Sequence, residues 1–470
     1  MKPAVSNSQA EELSFSSLPL REALLKNLTT LNYVKMTPIQ SQSLPIMLRG
    51  DDVIAQAKTG SGKTAAFGLC LLNRLNVDDY NVQALVLCPT RELADQVCQA
   101  LRQFARLIPN IKVLNLSGGI PMKPQLDSLR HGAHIIVGTP GRVQKHLDKE
   151  TLSLNKLQTL VLDEADRMLD MGFHDAINDI ISFCPEKRQT LLFSATYPAE
   201  IKKLANKLLQ SPKHVVVEDA HTEVDIEQIF FELDNPKDKF NLLKALLLHY
   251  RPTSALIFCN TKELTSKLAK MLDSEGFSAI ALNGDMEQVE RDIAVIRFKN
   301  NSCSILVATD VAARGLDIKE LPAVINYELA FEYDVHIHRI GRTGRAGSKG
   351  LALSLTAPAD AGRLCAIEDG LSSPVTWGNA KELKKTSESI APPKMITLCL
   401  SAGRKDKIRP GDVLGALTKD AGLAGDVIGK IDITALYSFV AIQHKYAEQA
   451  FEYLRDGKLK GRKVNVIRLR

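Results

Sequence analysis

Two short segments carry residues of the types that bind and hydrolyse a nucleotide. Residues 57–64 follow an apolar stretch and open a helical pattern, which is the context of a phosphate-binding loop. Glycines let backbone amides approach a phosphate, and the helix N-terminus adds a favourable dipole. Lys63 is expected to reach the β and γ phosphates of ATP, and the Thr64 hydroxyl is expected to bind Mg²⁺. The residues expected to contact ATP here are Ala57, Lys58, Thr59, Gly60, Ser61, Gly62, Lys63 and Thr64.

A pair of carboxylates follows directly after the apolar run at residues 159–162. Asp163 and Glu164 would lie at the carboxyl end of a strand, where α/β proteins bind ligands. Asp163 is expected to hold the Mg²⁺, and Glu164 to position and deprotonate the attacking water. An acidic pair at a helix start is also a common N-cap. The phosphate loop upstream favours the catalytic interpretation.

The elements that must position these groups are visible as short apolar runs alternating with longer helical patterns. Runs begin near residues 53, 84, 134 and 159, and again near 255, 279 and 304. Near-continuous apolar strands separated by helices are typical of a parallel, doubly wound sheet. A chain of 470 residues is too long for a single core. We therefore predict two consecutive α/β domains, 1–215 and 216–385, with a linker between Ser211 and Glu227.

A third, small domain is predicted at residues 395–470, after a Ser- and Pro-containing linker at 386–394. The expected order is strand, helix, two strands, helix and strand, which is the RRM-like α+β topology. Its predicted elements span Met395 to Leu400, Gly411 to Asp420, Gly429 to Ile433, Tyr437 to Ile442, Tyr446 to Arg455, and Val464 to Leu469.

The net charge of +6 is unevenly distributed. From Lys394 onward there are 15 Lys and Arg against 8 Asp and Glu, while the rest of the chain has 45 against 46. The basic tail indicates a polyanionic partner, nucleic acid before membrane, with a merely solvated basic surface as the alternative. Two basic loops are the expected RNA contacts, with members Arg404, Lys405, Lys407, Arg409, Lys458, Lys460, Arg462 and Lys463.

The cysteines and the apolar runs indicate the cellular compartment of the protein. Eight cysteines are scattered singly, without a CxxC pair that would suggest a zinc site. They are interpreted as buried thiols in a reducing environment. We find no apolar run of about 18 residues that could cross a bilayer. A cytoplasmic protein with no membrane partner is expected.

The order of motifs from Phe15 to Gly350 resembles that of the DEAD-box RNA helicases. The tetrapeptide Asp163 to Asp166 gives that family its name. Phe15 and the segment 32–40 resemble the Q motif, in which Gln40 would read the adenine edge and Phe15 would support the ring; Asn32 stands where the family usually has Gly. The resemblance implies first-domain RNA contacts by Arg91, Gly119, Thr139 and Arg142, and coupling of hydrolysis to strand separation through Asp166, Ser194 and Thr196.

The second domain continues the resemblance at segments 256–260, 288–291, 308–317 and 338–345. It implies that Asp310 contacts the ribose and phosphates, that Arg342 and Arg345 are arginine fingers, and that His338 takes part in coupling. Further RNA contacts are implied for Gln288, Arg291 and Thr309. In isolation the Arg- and Gly-rich segment could be a plain surface turn.

The resemblance implies two tandem RecA-like domains and an RNA-stimulated ATPase that uses ATP and Mg²⁺ to open short duplexes locally. Core contacts would go to phosphates and 2′-hydroxyls and carry no base information. A non-catalytic, ATP-gated RNA clamp and a DNA helicase are the rival functions.

The tail resembles that of a bacterial subgroup of this family whose tail binds a hairpin of large-subunit, 23S-type ribosomal RNA. This implies a helicase acting on large-subunit precursors. A monomer is expected. Within the tail, Tyr437 and Phe439 partly resemble the base-stacking aromatics of an RRM, or they are ordinary strand residues.

Overall fold

The computed structural model describes residues 14–57, 60–217, 226–313, 321–344, 349–371, 374–383 and 390–469. The chain divides into two compact units, residues 1–220 and 221–470. Of the predicted site residues, Lys58, Thr59 and Arg345 lie outside the described ranges, as do residues 386–389 of the predicted linker at 386–394.

The first unit is built on a parallel sheet. Its described strands are β1 (Val53–Gln56), β2 (Ala84–Leu87), β3 (Val113–Leu116), β4 (Ile135–Gly138), β5 (Thr159–Leu162), β6 (Gln189–Ser194) and β7 (Lys213–Val216). Its described helices are α1 (Glu22–Thr30), α2 (Pro38–Arg49), α3 (Lys63–Arg74), α4 (Arg91–Phe104), α5 (Met122–Leu129), α6 (Pro140–Asp148), α7 (Ala165–Asp170), α8 (His174–Ser182) and α9 (Ala199–Leu208). The strand order is β3-β4-β2-β5-β6-β1-β7.

Both faces of this sheet are covered, which explains its near-continuous apolar strands. Successive residues of β1 enter different core clusters, Val53 and Ala55 on one face and Ile54 on the other. The phosphate loop follows β1 and the acidic pair follows β5, so both lie at the carboxyl edge of the sheet. The predicted doubly wound architecture is confirmed.

The second unit begins with another parallel sheet in the order β10-β11-β9-β12-β13-β8-β14. Its described strands are β8 (Ile226–Glu232), β9 (Ala255–Phe258), β10 (Ala279–Leu282), β11 (Ile305–Ala308), β12 (Ala323–Asn326), β13 (Gly350–Thr356) and β14 (Thr376–Trp377). Its described helices are α10 (Lys239–Tyr250), α11 (Lys262–Ser274), α12 (Gln288–Lys299), α13 (Asp310–Ala313), α14 (Tyr333–Ile340) and α15 (Ala361–Glu368).

The predicted linker between Ser211 and Glu227 was too wide. Residues 213–216 form β7, which pairs in parallel with β1, and residue 226 already begins β8. The sequence of β7 gave little signal because it is an edge strand on which only Val215 is buried.

The last sheet is antiparallel, in the order β16-β17-β15-β18. Its strands are β15 (Met395–Leu400), β16 (Ile428–Ile433), β17 (Ser438–Gln443) and β18 (Val466–Leu469), and its helices are α16 (Pro410–Gly415) and α17 (Ala447–Asp456). The predicted RRM-like order is confirmed with small shifts of the bounds. The predicted helix over 411–420 changes at Ala416 to a π-helical turn that ends at Asp420.

In the described part of the chain, no helix is both long and apolar enough to cross a membrane.

Candidate functional site: a nucleotide site with RNA-binding surfaces

The phosphate loop turns sharply between β1 and α3. Gly60 and Gly62 adopt φ values of 89° and 96°, which side chains other than glycine rarely tolerate. Gly62 is the N-cap of α3, so the loop meets the positive end of that helix. Lys63 is 6% exposed and its Nζ donates to the Ala57 carbonyl at 2.5 Å. Burial lowers the pKa of Lys63, opposed by the charges of the nearby Asp163 and Glu164.

The acidic pair lies where β5 turns into α7. Asp163 is 3% exposed, and its backbone N–H donates to the Leu87 carbonyl at 3.0 Å. Burial and the neighbouring Glu164 raise the pKa of Asp163 to about 7, although Lys63 opposes the shift. Glu164 adopts a left-handed backbone conformation, φ 52° and ψ 53°. Its carboxylate Oε2 accepts a hydrogen bond from the Arg167 guanidinium at 3.1 Å.

Asp166 connects α7 to the segment that follows β6. Its Oδ2 accepts from the backbone N–H groups of Ala195 and Thr196, at 3.1 and 2.9 Å, and from the Thr196 hydroxyl at 3.0 Å. Burial raises the pKa of Asp166, but the Thr196 hydrogen bonds and the charge of Arg167 outweigh it and hold the pKa below its ordinary value. The structure thus joins Asp166 and Thr196, both of which the resemblance assigns to coupling, and Ser194 is buried at the end of β6 beside them.

The residues present fit a Mg²⁺–nucleotide complex. A fully buried carboxylate with a pKa raised to about 7, as at Asp163, is one that a divalent cation would stabilise in its ionised form. The Ser61 hydroxyl in the phosphate loop is buried and has no hydrogen-bond partner among the described residues. The described ranges contain no group of three or more His, Cys, Asp or Glu that could hold a metal alone.

The Q-motif residues meet the phosphate loop. Gln40 Nε2 donates to the Gly62 carbonyl at 3.1 Å, and Gln40 Oε1 accepts from the Thr37 backbone at 2.9 Å. Phe15 is buried and its ring lies 6.3 Å from that of Tyr33. Asn32, at the usual glycine position, has φ 58°, a conformation that Asn tolerates better than most side chains. Gln40, the residue expected to contact the adenine, is thereby hydrogen-bonded to the phosphate loop.

The first-domain RNA motifs converge at the carboxyl ends of β3 and β4. Gly119 has φ 78°, and a Cβ there would stand 1.9 Å from Arg91 Nη1, so the Arg91 guanidinium lies directly over this turn. Arg142 donates to Gln125 Oε1 at 2.7 Å and to the Ile120 carbonyl at 2.9 Å. Burial and the charge of Arg91 lower the pKa of Arg142. Thr139 is the N-cap of α6 in the same neighbourhood.

In the second unit a buried arginine joins three strand ends. Arg339 is 1% exposed and makes a two-bond contact to Asp310, Nε to Oδ1 at 2.7 Å and Nη2 to Oδ2 at 2.6 Å. It also donates to Asn260 Oδ1 at 2.7 Å and to the Glu328 carbonyl at 2.6 Å. Asp310, implied as a nucleotide contact, is therefore held in place from within the fold.

Two of the remaining second-unit motif residues, Thr309 and Arg291, contact the end of β10. The Thr309 backbone N–H donates to the Leu282 carbonyl at 3.4 Å, and Arg291 donates to the Asn283 carbonyl at 3.3 Å. Gln288 is the first residue of α12. His338 lies in the last turn of α14, and Arg342 follows that helix and is 7% exposed.

The two basic loops of the C-terminal sheet domain form one surface. Lys460 Nζ donates to the Lys407 carbonyl at 2.9 Å and pairs with Asp412 at 3.3 Å. Arg462 lies 3.7 Å from Asp406. The other basic members of the two loops, Arg404, Lys405, Arg409, Lys458 and Lys463, are all exposed.

The outer face of this sheet is less accessible than an RNA-stacking face would be. Thr397 is fully buried, and its hydroxyl lies 2.7 Å from the Ser302 hydroxyl after α12. The Met395 backbone N–H donates to the Asn301 carbonyl at 3.2 Å. Phe439 is 2% exposed whereas Tyr437 is 38% exposed. Because its side chain is buried in this arrangement, Phe439 cannot stack on a base.

Three residues that hydrogen-bond to predicted site residues were not assigned roles from the sequence: Arg167, Gln125 and Arg339. Arg167 and Arg339 adjoin recognised motifs, so the signal was their proximity to Asp166 and His338. Gln125 lies in an ordinary helical stretch, and its contact with Arg142 depends on packing between α5 and α6.

Comparisons with known proteins agree with this geometry. Residues 37–204 match the DEAD/DEAH box helicase family, residues 238–347 the helicase conserved C-terminal domain, and residues 397–468 the DbpA RNA binding domain. The chain is 50% identical over 456 residues to the ATP-dependent RNA helicase DbpA of Escherichia coli, covering 96% of this chain and 99% of that protein. It is 36% identical to DbpA of Bacillus subtilis, covering 96% and 98%. The solved structure of S. cerevisiae Dbp5 bound to RNA and ADP BeF3 superposes with a TM-score of 0.71 at 33% identity, covering 78% of this chain and 96% of that one.

Proposed function

Because this chain belongs to the DEAD-box family and is an ATP-dependent RNA helicase of the DbpA type, we propose that it remodels ribosomal RNA of the large subunit during ribosome assembly. In this proposal the C-terminal domain delivers a sequence-blind helicase core to one rRNA region. The protein acts as a cytoplasmic monomer, and its eight free cysteines suit a reducing compartment.

Hydrolysis depends on groups at the carboxyl edge of the first sheet. Lys63 and the loop amides bind the β and γ phosphates, while Thr64 and Asp163 hold Mg²⁺. The ion neutralises charge on the phosphates when it is bound. Glu164 accepts a proton from the attacking water. The observation that carries this assignment is the burial of Asp163 and Glu164 beside Lys63, since their charges act on one another through a largely water-free site.

The second unit completes the reaction. Asp310 contacts the ribose and phosphates, and Arg342 and Arg345 stabilise the negative charge that develops on the transferred phosphoryl group. Because these groups belong to a different domain from Glu164, hydrolysis requires the two domains to close on ATP. His338 belongs to the coupling between closure and RNA.

RNA binding by the core uses the two motif surfaces. Arg91, Gly119, Thr139 and Arg142 in the first unit contact the phosphate backbone, and Gln288, Arg291 and Thr309 do so in the second. Closure would bend one strand and open a short duplex locally. The Asp166–Thr196 hydrogen bonds support a connection between the hydrolytic site and these surfaces.

Selection of the RNA falls to the C-terminal domain. Lys460, which bonds to Lys407, joins the two basic loops into one surface, and this contact supports a single RNA-binding region. The buried position of Phe439 further favours the loops over the sheet as the contact.

A comparison of RNA substrates tests the proposal. RNA-stimulated ATPase activity should be higher with a large-subunit rRNA fragment than with an arbitrary RNA of equal length, measured at one salt concentration because phosphate contacts are salt-dependent. Equal stimulation by both RNAs would reject the rRNA assignment, and equal stimulation by DNA of the same sequence would reject a preference for RNA over DNA.

A further inference from the structure

The geometry points to Arg167 as a positioning residue for ATP hydrolysis, one whose guanidinium fixes the orientation of the Glu164 carboxylate. This inference rests on the proposed role of Glu164 as the group that accepts the proton of the attacking water.

The side chain of Glu164 does not cap the helix that this residue precedes. Glu164 precedes α7 at the N-cap position, yet its side chain makes no capping hydrogen bond. Its left-handed conformation turns the residue away from the path of a regular helix start. A carboxylate in this position could occupy several rotamers, so another group must define where its oxygens lie.

Arg167, about one helical turn after Glu164, holds the Glu164 carboxylate in one orientation. Its Nη1 donates to Glu164 Oε2 at 3.1 Å, and the two side chains are 4% and 7% exposed. A buried ion pair is not screened by solvent and is costly to break once formed, because either partner would remain buried and uncompensated. The contact therefore fixes one carboxylate oxygen of Glu164 relative to α7.

The same arginine also contacts the coupling residue. The Arg167 backbone N–H donates to Asp166 Oδ1 at 3.0 Å, while Asp166 Oδ2 receives the hydrogen bonds from Thr196. The charges of both Lys63 and Arg167 act on this acidic cluster, and Lys63 also donates to the Ala57 carbonyl of the phosphate loop. Arg167 thus contacts both Glu164, the proposed proton acceptor, and Asp166, which is hydrogen-bonded to Thr196.

A residue that orients a proton acceptor should affect turnover more than nucleotide binding. Loss of the guanidinium leaves the phosphate loop, Lys63 and Asp163 in place, so ATP should bind as before. The Glu164 carboxylate would no longer be held toward one direction, and small misplacements of a catalytic group lower the rate strongly.

The test is a KM-against-kcat comparison on the full-length protein. Arg167→Met removes the charge at similar length, and Arg167→Lys keeps the charge with a single donor group. Arg102→Met is the control, because Arg102 is an exposed arginine of the same unit, away from the acidic motif, whose Nη2 donates to the Val113 carbonyl at 2.8 Å. RNA-stimulated ATPase kcat, KM for ATP and the melting temperature are measured for each.

We expect Arg167→Met to lower kcat by about 10- to 100-fold with KM for ATP changed less than about 2-fold. Arg167→Lys should recover part of kcat, and Arg102→Met should retain the wild-type values. A wild-type kcat for Arg167→Met, or no recovery in a folded Arg167→Lys, overturns the inference. If Arg167→Met does not fold, Arg167→Lys decides alone: a lowered kcat at unchanged KM supports the role and a wild-type kcat overturns it.

Glu164→Gln separates this inference from the proposal beneath it. If Glu164→Gln retains turnover, the proposed role of Glu164 fails and the positioning role fails with it. If Glu164→Gln is inactive while Arg167→Met is fully active, only the positioning role fails. The double variant should be no slower than Glu164→Gln, because Arg167 acts through that carboxylate.

Discussion

The Thr196 hydroxyl and backbone N–H both donate to Oδ2 of Asp166, at 3.0 and 2.9 Å. Two residues 30 positions apart thereby connect the helix that carries the acidic motif to the segment after β6. Thr196→Ala removes one of these bonds and keeps the other. A hydrogen bond to a charged acceptor contributes about 1.5–3 kcal/mol. We expect RNA-stimulated ATPase to persist while unwinding of a short duplex falls several-fold.

Thr196→Ser is the control for this prediction, since it retains the hydroxyl and should unwind RNA nearly as the wild type does. Equal loss of ATPase and unwinding in Thr196→Ala would show that the contact serves hydrolysis rather than coupling.

Gln125 holds an arginine of the proposed RNA surface. Its Oε1 accepts from Arg142 Nη1 at 2.7 Å and lies 3.1 Å from His146 Nε2. Gln125→Met should leave Arg142 less restrained and raise the RNA concentration needed for half-maximal ATPase by roughly 3- to 10-fold, the equivalent of about 1 kcal/mol. The control Gln144→Met removes an exposed hydrogen bond to Asp179 and should not change it. An unaltered RNA requirement in Gln125→Met would show that Arg142 needs no such support.

Arg339 is expected to be more important for stability than any other residue of its motif. Arg339→Met would leave Asp310, Asn260 and the Glu328 carbonyl without their shared donor. Removing one partner of a buried ion pair costs about 3–5 kcal/mol. Chemical denaturation should show a lower unfolding midpoint for the second unit. A midpoint equal to that of the wild type would mean that water replaces the guanidinium without penalty.

The basic loops can be tested without removing the C-terminal domain. Deletion of that domain would also expose Ser302, whose hydroxyl lies against Thr397. We therefore compare two double variants. One carries Lys405→Glu and Lys463→Glu in the basic loops, and the other carries Lys419→Glu and Lys445→Glu elsewhere in the domain. Both change the net charge equally at exposed positions. The first pair should lose about 10-fold or more in affinity for the rRNA fragment, and the second much less. Equal effects of the two double variants would show that the loops contribute only general positive charge and no specific RNA contact.

Much of the fold was predictable because its strands are short, apolar and covered on both faces. Ala84–Leu87 and Thr159–Leu162 are fully buried strands, and their apolar runs were recognised from the sequence. Edge strands such as β7, with a single buried residue, gave no such pattern. The nucleotide motifs were equally clear, because a phosphate loop requires glycines and a lysine at fixed spacing.

What the sequence could not provide were the contacts formed by packing. The two-bond contact between Arg339 and Asp310 joins residues 29 positions apart, and the burial of Thr397 depends on a segment 95 positions earlier. No local pattern encodes such distances. The Glu164–Arg167 pair is local, but an i,i+3 spacing does not reveal whether the pair is exposed or buried.

The central claim, that Glu164 accepts the proton of the attacking water, is tested most directly by RNA-stimulated ATP turnover of Glu164→Gln. Glu150→Gln is the control, because Glu150 is an exposed glutamate with a similar left-handed backbone, φ 53°. We predict that Glu164→Gln still binds ATP and RNA but loses about 10²- to 10⁴-fold in kcat, the contribution typical of a general base, while Glu150→Gln is unaffected. Unchanged turnover in Glu164→Gln would contradict the account.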